Sequence, residues 1–525
     1  MDRHRCCPPV RLVVEAFDPP FSSFDRVESS FGSNPAVHRC FSLARSFLAR
    51  TLVNEDISPV GLLADENKEI AGLFPAFQPG TIKRLSFWRR PFRRGRDLQR
   101  MRAADLIGYA ILKYDAVPGL CEGWHVFEAV FPKYESRHNC VPQEHDYRLC
   151  VGETRLHLTG VLYAQQNSLN KACAQVALRS LLSRHAASGD VSNAEINKAA
   201  RGVGGTGFRP QNGLSVQQIR AVLKRFGANY RDVDYEEAEI KDPKVRTSQP
   251  YQKYLYSGIE SGYGSLLGFS MSGPQAAASN HIIPFYGHTF NKDTWAPEAD
   301  IAYFNIGGGV GYIPSENWTS SFIGHDDNFG PNFCIPRLYV RPQQVSYVVE
   351  LLPTGAAYNG MIAEARALQF IYSLYPYLDK QNPWSRRLAE VADPDVQRVI
   401  LRAICVGKDV YIKHLLGTRD WSGQEENPAL VKALPALLPK LLWVVEVSVP
   451  HLFAANERKL GEIVLNASHV SVGKTKAGTG VDFSLFLLAR LPSQFFFLKS
   501  HSSAGPDFST IPSALVSHVP VLVLK

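Results

Sequence analysis

The apolar residues of this chain occur in short runs separated by turn-forming and charged residues, and this pattern constrains the fold more than any other feature. The most apolar stretch, Leu430 to Ala454, is broken by prolines and charged residues and does not predict a bilayer-spanning helix. A chain of 525 residues is also too long for a single hydrophobic core. At about 100–200 residues per domain it predicts about three domains. We therefore expect a multidomain α+β protein that does not enter a membrane.

Composition and cysteine spacing narrow the class further. Hydrophobic residues make up 45% of the chain and charged residues 20%, which is typical of a globular protein and argues against disorder. The nine cysteines are irregularly spaced and include no C-x-x-C pair, so they predict neither a disulfide framework nor a zinc site. The N-terminus reaches two prolines before any apolar run of signal-peptide length. We expect a soluble protein of a reducing compartment, the cytoplasm.

Three segments differ in their predicted secondary structure. Residues 1–155 mix short apolar runs with turn signals and predict an N-terminal α/β or α+β domain. Residues 156–350 change to a strand, a loop and amphipathic helices, followed by the strand HIIPFYG. Residues 351–525 are first helical and later strand-rich, which predicts a separate C-terminal domain.

The basic charge of the chain is concentrated in one segment. Lys83 to Arg102 holds nine basic residues against one acid, Asp97, and accounts for the net charge of +8. Because Phe87, Trp88 and Phe92 are interleaved with its arginines, the segment could contact phosphates and stack on bases. Charge runs are, however, usually solvated surface. The segment is therefore predicted as an insertion in the N-terminal domain, either a plain basic surface or a site for nucleic acid or another polyanion.

The central segment contains the residues of a nucleophilic cysteine site. Cys173 stands where a loop ends and the apolar-periodic helix CAQVALRSLLSRH begins, and the N-terminus of a helix stabilises a thiolate. His281 opens the strand HIIPFYG and could serve as the general base. His288 is the rival base, and its odd offset would place it on the opposite face of a regular strand. A small buried cysteine and a packed histidine are the structural alternatives.

A cysteine nucleophile also needs oxyanion donors and a residue that orients its base. Gln165 and Gln166 end the strand before the cysteine, and we choose Gln166 as the donor; the alternative is an ordinary loop glutamine. For the orienting residue the string FIGHDDNFGPN offers Asp326, Asp327 and Asn328, of which we choose Asp326. Acid-rich strings before a glycine are also common turns.

The order of these elements resembles the papain-like family of double-glycine (bacteriocin-processing) peptidases. The chain reads Gln-Gln, Cys-Ala-Gln-Val-Ala-Leu, GLSVQQIRAVLKRFGA, SNHIIPFYGHT and HDDNFGP. The family has Q-x(5)-C-G-x-A-x-L, a Gly-Thr helix, a His-Tyr-Val-Val strand and an Asp-Pro turn. The resemblance implies a papain-like cysteine hydrolase module in residues 156–350. It also implies roles for four residues: oxyanion donor, nucleophile, general base and orienting residue, namely Gln166, Cys173, His281 and Asp326.

Three features depart from the pattern of that family. Ala174 replaces the glycine after the cysteine, and the spacing from the glutamine to the cysteine is one residue longer. Asp326 lies 45 residues beyond His281, which requires an insertion of approximately residues 291–320 between two neighbouring strands. That insertion contains further candidates for the orienting residue: Asn291, Asp293 and Asp300.

These patterns support three hypotheses about function. The first is a cysteine hydrolase that cuts peptide or isopeptide bonds of a peptide or protein substrate through a Cys-His-Asp triad and an acyl-enzyme. The second is a catalytically inactive papain-like scaffold that binds nucleic acid or another polyanion through Lys83–Arg102. The third is a structural interaction protein that assembles through its strand-rich C-terminal region. No metal-binding motif and no glycine-rich loop in a nucleotide-binding context is apparent, so we predict neither a metal nor a cofactor.

Overall fold

The computed structural model describes the chain except for residues 1–3, 18–22, 134–138, 143, 168, 170–172, 184–189, 205–207, 238–239, 241–245, 247, 271–279, 291–303, 307–309, 470–482, 503–504 and 525. The described residues form helices and three large β-sheets with separate apolar cores. This mixture confirms an α+β, multidomain chain. None of the described helices combines the length and the apolarity needed to cross a bilayer.

The first sheet is entirely antiparallel, so the N-terminal part is α+β. Its strands, in the order β1-β2-β3-β4-β5-β8-β7, are β1 (Pro9–Ala16), β2 (Thr51–Ile57), β3 (Gln78–Trp88), β4 (Leu106–Val117), β5 (Cys121–Phe131), β7 (His145–Val151) and β8 (Thr154–Tyr163). Three helices cover it: α1 (Ser23–Phe31), α2 (Pro35–Ser46) and α3 (Leu62–Leu73). Alternate residues of the strands face two apolar cores, one on each side of the sheet. The sheet therefore continues past residue 155, where the sequence predicts a domain limit.

The second sheet carries the predicted site. Its strands, in the order β15-β14-β11-β10-β16-β9 with β6 paired to β11, are β6 (Asn139–Cys140), β9 (Asn229–Asp234), β10 (Ser265–Ser270), β11 (Asn280–Phe290), β14 (Thr319–Asp326), β15 (Gly330–Pro336) and β16 (Val345–Leu352). One face packs against α4 (Cys173–Leu182), α5 (Asn193–Gly204) and α6 (Val216–Arg225). The other face packs against α7 (Tyr251–Glu260).

The third sheet follows the helical stretch that the sequence predicts after residue 350. Its strands, in order, are β12 (Phe304–Ile306), β13 (Val310–Pro314), β17 (Ile400–Gly407), β18 (Leu441–Ser448), β20 (Gly461–Asn466), β21 (Phe486–Leu491), β22 (Gln494–Ser502) and β23 (Gly505–Pro512). The helices are α8 (Gly360–Leu374), α9 (Pro383–Ala392), α10 (Lys408–Gly417), α11 (Pro428–Ala433) and α12 (Pro450–Asn456), and β19 (Arg458–Lys459) pairs with β24 (Val519–Pro520). Only β13 and β17 run parallel among the paired strands described. Part of the predicted 291–320 insertion thus belongs to this sheet.

The basic segment Lys83–Arg102 is divided between the first sheet and the surface. Arg84 lies in β3, is completely buried and forms two hydrogen bonds to Glu55, at 2.7 and 3.0 Å. Phe87 and Trp88 are also completely buried, and Phe92 is 8% exposed, so these rings are not available to stack on bases. The exposed basic residues are all arginines: Arg89, Arg90, Arg93, Arg94, Arg96, Arg100 and Arg102. The segment therefore differs from the predicted insertion, because its first residues form a central strand.

The N-terminal segment is linked covalently to the first sheet. Cys6 forms a disulfide with Cys150 of β7, across a sequence separation of 144 residues. The irregular cysteine spacing does not predict this pair. Disulfides are uncommon in reducing compartments, so the bond counts against the expectation of a cytoplasmic location, which stays a prediction.

Candidate active site

Cys173 is the first residue of α4. Residues such as Ala174, Leu178 and Leu181 recur at helical spacing and are buried against the second sheet, which fixes the helix. The backbone N–H groups of its first turn, which have no partner within the helix itself, lie at the end that carries Cys173. Cys173 itself is a free, partly exposed thiol. The helix start that the sequence predicts is confirmed.

His281 lies near the start of β11, the strand against which α4 packs. Its Nε2 atom is 3.3 Å from Asp326 Oδ2 and 3.5 Å from Asp327 Oδ1. The ring of Phe269, opposite it on β10, contacts the imidazole edge-on with centroids 5.7 Å apart. His281 is 9% exposed. The sheet therefore holds the imidazole in one place while leaving it in contact with the cleft.

The pKa of His281 reflects its neighbours. Burial lowers it, but hydrogen bonds to Asp326 and Cys173 and the nearby carboxylate charges outweigh burial and raise the pKa to about 10. The imidazolium is thus the favoured form at neutral pH. A protonated imidazole bonded to a thiol is the arrangement that stabilises a thiolate.

Asp326 and Asp327 are not equivalent. Asp326 Oδ1 accepts backbone N–H bonds from Asn328 at 2.8 Å and Phe329 at 3.2 Å, leaving Oδ2 for His281. Burial raises the pKa of Asp326, but the hydrogen bond and charge of His281 reverse the effect and the pKa is lowered. Asp327 Oδ2 is buried without a partner among the described residues, and burial, opposed by His281, raises its pKa to about 6. Asp326 is therefore better placed to orient the imidazole.

The two predicted glutamines face different ways. The side chain of Gln165 accepts the backbone N–H of Val126 at 2.9 Å and so belongs to the first sheet. Gln166 lines the same cleft as Cys173, and its Nε2 donates to Asn328 Oδ1 at 3.3 Å. Of the two, only Gln166 has an amide beside the thiol.

These residues lie at one end of an open cleft of about 690 Å³, a volume in the range of small-molecule and peptide sites. One wall is the loop and first turn of α6, from Asn212 to Ile219. The other wall is the sheet, with Asn280 to Ile282 at the end near the thiol. Behind Cys173 the chain is closely packed and leaves only a small gap, which Asp327 also lines. Among the described residues, the cleft is therefore the side from which substrate can reach the sulfur.

The structure places the rival base elsewhere. His288 is completely buried, and its Nε2 bonds to Glu260 Oε1 of α7 at 2.8 Å. The candidates of the insertion, Asn291, Asp293 and Asp300, lie outside the described residues. The sequence reasoning passed over Asn328 as the partner of Gln166, and over Asp234 and Glu236, which line the cleft. The string VDYEE at the end of β9 was the available signal for the last two.

Four clusters of described residues bring three potential metal-ligand atoms within 4.8 Å of one another: Cys140, Glu260 and His288; His4, Glu128 and Asp190; Glu66, Asp115 and His125; and His281, Asp326 and Asp327. In each of the first three, an arginine or lysine already neutralises the carboxylate, as Arg402 does for Glu260. In the fourth, the imidazolium does so. Ion pairing explains these clusters, and the expectation that the protein needs no metal stays a prediction.

Comparisons with family models, with curated proteins and with solved structures gave no match to this chain. The geometry of the cleft and the order of its motifs are therefore the features that point to a function.

Proposed function

We propose that this protein is a papain-like cysteine hydrolase that acts on peptide or isopeptide bonds. The observation that carries the proposal is the convergence of Cys173, His281 and Asp326 at one end of an open cleft. A buried structural cysteine would have no need of an imidazole, an orienting carboxylate and access to solvent together.

In the proposed mechanism, the thiol proton of Cys173 resides on His281. The carboxylates face Nε2 of His281, which leaves Nδ1 for the thiol. The thiolate attacks the carbonyl carbon of the substrate and forms a carbon–sulfur bond, while the carbonyl electron pair moves to oxygen. The backbone N–H of Cys173 and the amide of Gln166 are the donors for that oxyanion.

Collapse of the tetrahedral intermediate breaks the C–N bond. His281 transfers its proton to the leaving amine and becomes a neutral base. It then takes a proton from water, whose oxygen attacks the thioester, and the acid product and the thiol are released. Asp326 keeps the imidazole oriented through both steps.

The test is cleavage of a complex mixture of unfolded peptides, read by mass spectrometry, by the wild-type protein and by Cys173→Ala. New peptide termini are expected only with the wild type. Cys334→Ala is the matched control, since Cys334 is a free and exposed cysteine outside the cleft, and it should cleave as the wild type does. Equal cleavage by Cys173→Ala, or none by the wild type, would refute the hydrolase.

The exposed arginines favour a second, compatible candidate function. Seven of them lie between residues 89 and 102, and one, Arg90, is paired with Asp105. We propose binding of a polyanion through phosphate contacts alone, because the aromatic rings are buried. Affinity for single-stranded nucleic acid should then fall steeply with salt and be independent of base sequence. Binding that persists at high salt would contradict this candidate.

A further inference from the structure

One row of residues crosses the second sheet along the wall of the cleft that the sheet forms. Register pairs Asp234 of β9 with Tyr347 of β16, Tyr347 with Gly268 of β10, and Gly268 with Ile282 of β11. Residues directly opposite each other in a sheet point to the same face. All four line the cleft, and Ile282 follows the proposed base in the chain. The row therefore leads from the reactive end of the cleft to Asp234.

The middle of this row is shaped as an open path. Gly268 has no side chain, and a Cβ there would have only ordinary contacts with its neighbours, the nearest at 3.4 Å. The hydroxyl of Tyr347 donates to Asp232 Oδ2 of β9 at 2.9 Å, which directs the ring toward β9 and away from Gly268 of β10. An extended segment of substrate can therefore lie over Gly268 without displacing a side chain.

The far end of the row is acidic. Asp234 and Glu236 are the only acidic residues lining the cleft among those described, and no lysine or arginine lines it. Asp234 is 8% exposed, and its Oδ1 accepts the backbone N–H of Glu236 at 3.0 Å. None of the described lysines and arginines forms an ion pair with Asp234. A carboxylate so buried is stabilised by a cation, and the open side of Asp234 faces the cleft.

The distance along the row sets where such a cation would sit on a substrate. Three strand spacings of about 4.8 Å separate β11 from β9, a span of roughly 14 Å. An extended peptide advances about 3.3–3.6 Å per residue, and a lysine or arginine side chain reaches several ångströms further. The matching side chain therefore belongs to a residue about two to four positions from the reactive carbonyl.

We infer that the cleft selects substrates with a lysine or arginine about two to four residues from the scissile bond. The cation pairs with Asp234, and Glu236 adds negative potential at the mouth. This inference rests on the proposed hydrolase function and names the substrate class of that site.

The experiment profiles cleavage of a peptide library by the wild type, Asp234→Asn and Asp409→Asn. Asparagine keeps the shape of Asp234 and its bond to the Glu236 N–H, and the Asp409 control is an exposed carboxylate of α10 outside the cleft. The wild type and Asp409→Asn should enrich lysine or arginine at one position within that window. Asp234→Asn should lose about tenfold in kcat/KM for the preferred peptide and little for its neutral analogue.

A second arm reverses the charges of both partners. Replacing the preferred lysine of the peptide with glutamate should abolish cleavage by the wild type, and Asp234→Lys should restore it. Cleavage without any basic preference, or a preference unchanged in Asp234→Asn, overturns the inference but leaves the hydrolase standing. Absence of all cleavage by the wild type refutes the hydrolase itself, and the inference with it.

Discussion

At the scale of single residues, the candidate site depends on which carboxylate holds His281. Asp326 is fixed by two backbone N–H bonds and faces Nε2. Asp327 lies slightly farther away, with one oxygen buried and unbonded within the described residues. Asp326 is therefore the residue that positions the imidazole, and Asp327 is not.

Replacing Asp326 with alanine should lower kcat/KM by about 10²-fold, because the imidazole loses its orienting partner. Asp326→Asn should recover little of that loss, because both oxygens of Asp326 accept N–H groups and the amide of asparagine replaces one acceptor with a donor. Asp327→Ala should change kcat/KM only a few-fold. Steady-state kinetics on one cleaved peptide measure all three, and a larger loss in Asp327→Ala than in Asp326→Ala would exchange the two roles.

Residue types and spacing were sufficient to predict the four site residues as neighbours, but not their partners. The helix start at Cys173 and the strand at His281 follow from local periodicity, which the chain obeys. The environment of Arg84 could not be predicted in this way. Its charge suggests a surface, whereas Glu55, 29 residues earlier, allows it to be buried in the sheet. The local periodicity of apolar residues does not predict contacts between segments that are distant in the sequence.

At the scale of elements, α4 is anchored to the first sheet by buried charges. Arg179 of α4 donates to Glu128 Oε2 at 2.7 Å and to the carbonyl of Phe127 at 2.9 Å. Arg5 of the N-terminal segment, next to the disulfide, bonds to Glu128 and to Asp190, each at 2.7 Å. The helix that carries Cys173 is thus tied to both the first sheet and the N-terminus.

Removing Arg179 should destabilise the protein strongly, because it leaves buried carboxylates with less compensation. For Arg179→Ala we expect a loss of about 3–5 kcal/mol in the free energy of unfolding. Arg387→Ala is the control: Arg387 pairs with Glu390 on the exposed face of α9, and its loss should cost less than about 1 kcal/mol. Denaturant unfolding followed by circular dichroism measures both losses. Equal losses would show that the buried network stabilises the protein no more than an exposed ion pair does.

Sheet order is the part of the fold that the sequence predicted least. β13 lies within the predicted central segment but runs parallel to β17 of the third sheet, although 87 residues separate the paired positions. β6 pairs with β11 in the same long-range way. Short apolar runs indicate that a strand exists, but they do not say which strand will be its neighbour.

At the scale of the whole molecule, α7 lies between the second and third sheets and joins them through buried charges. Glu260 of α7 bonds to Arg402 of β17, which also bonds to Glu446 of β18 at 2.6 Å. Lys253 of α7 pairs with Glu316 at 3.0 Å. The second and third sheets should therefore unfold together rather than separately.

Glu350, on β16 beneath α7, makes this junction sensitive to pH. Burial raises its pKa to about 8, against the opposing charges of Arg231 and Lys253. The pKa of Glu350 in the folded protein exceeds the ordinary value of 4.5. The contribution of protonated Glu350 to the free energy of unfolding is therefore fully present below about pH 4.5 and is lost as the pH rises through 8. Glu350→Gln should match the wild type near pH 5 and exceed it by about 2–4 kcal/mol at pH 9. Thermal unfolding at the two pH values tests this, with the exposed Glu390→Gln as control; a variant no more stable at pH 9 would contradict it.

The proposed hydrolase depends on an ion pair between Cys173 and His281, and the rate of thiol alkylation across pH tests this pair most directly. Each cysteine is followed by peptide mass spectrometry in the wild type and in His281→Ala. We predict that Cys173 reacts at least about tenfold faster than the exposed Cys334 below pH 7, and that His281→Ala removes this advantage. If Cys173 reacts no faster than Cys334, or if His281→Ala leaves its rate unchanged, the pair does not exist and the hydrolase proposal fails.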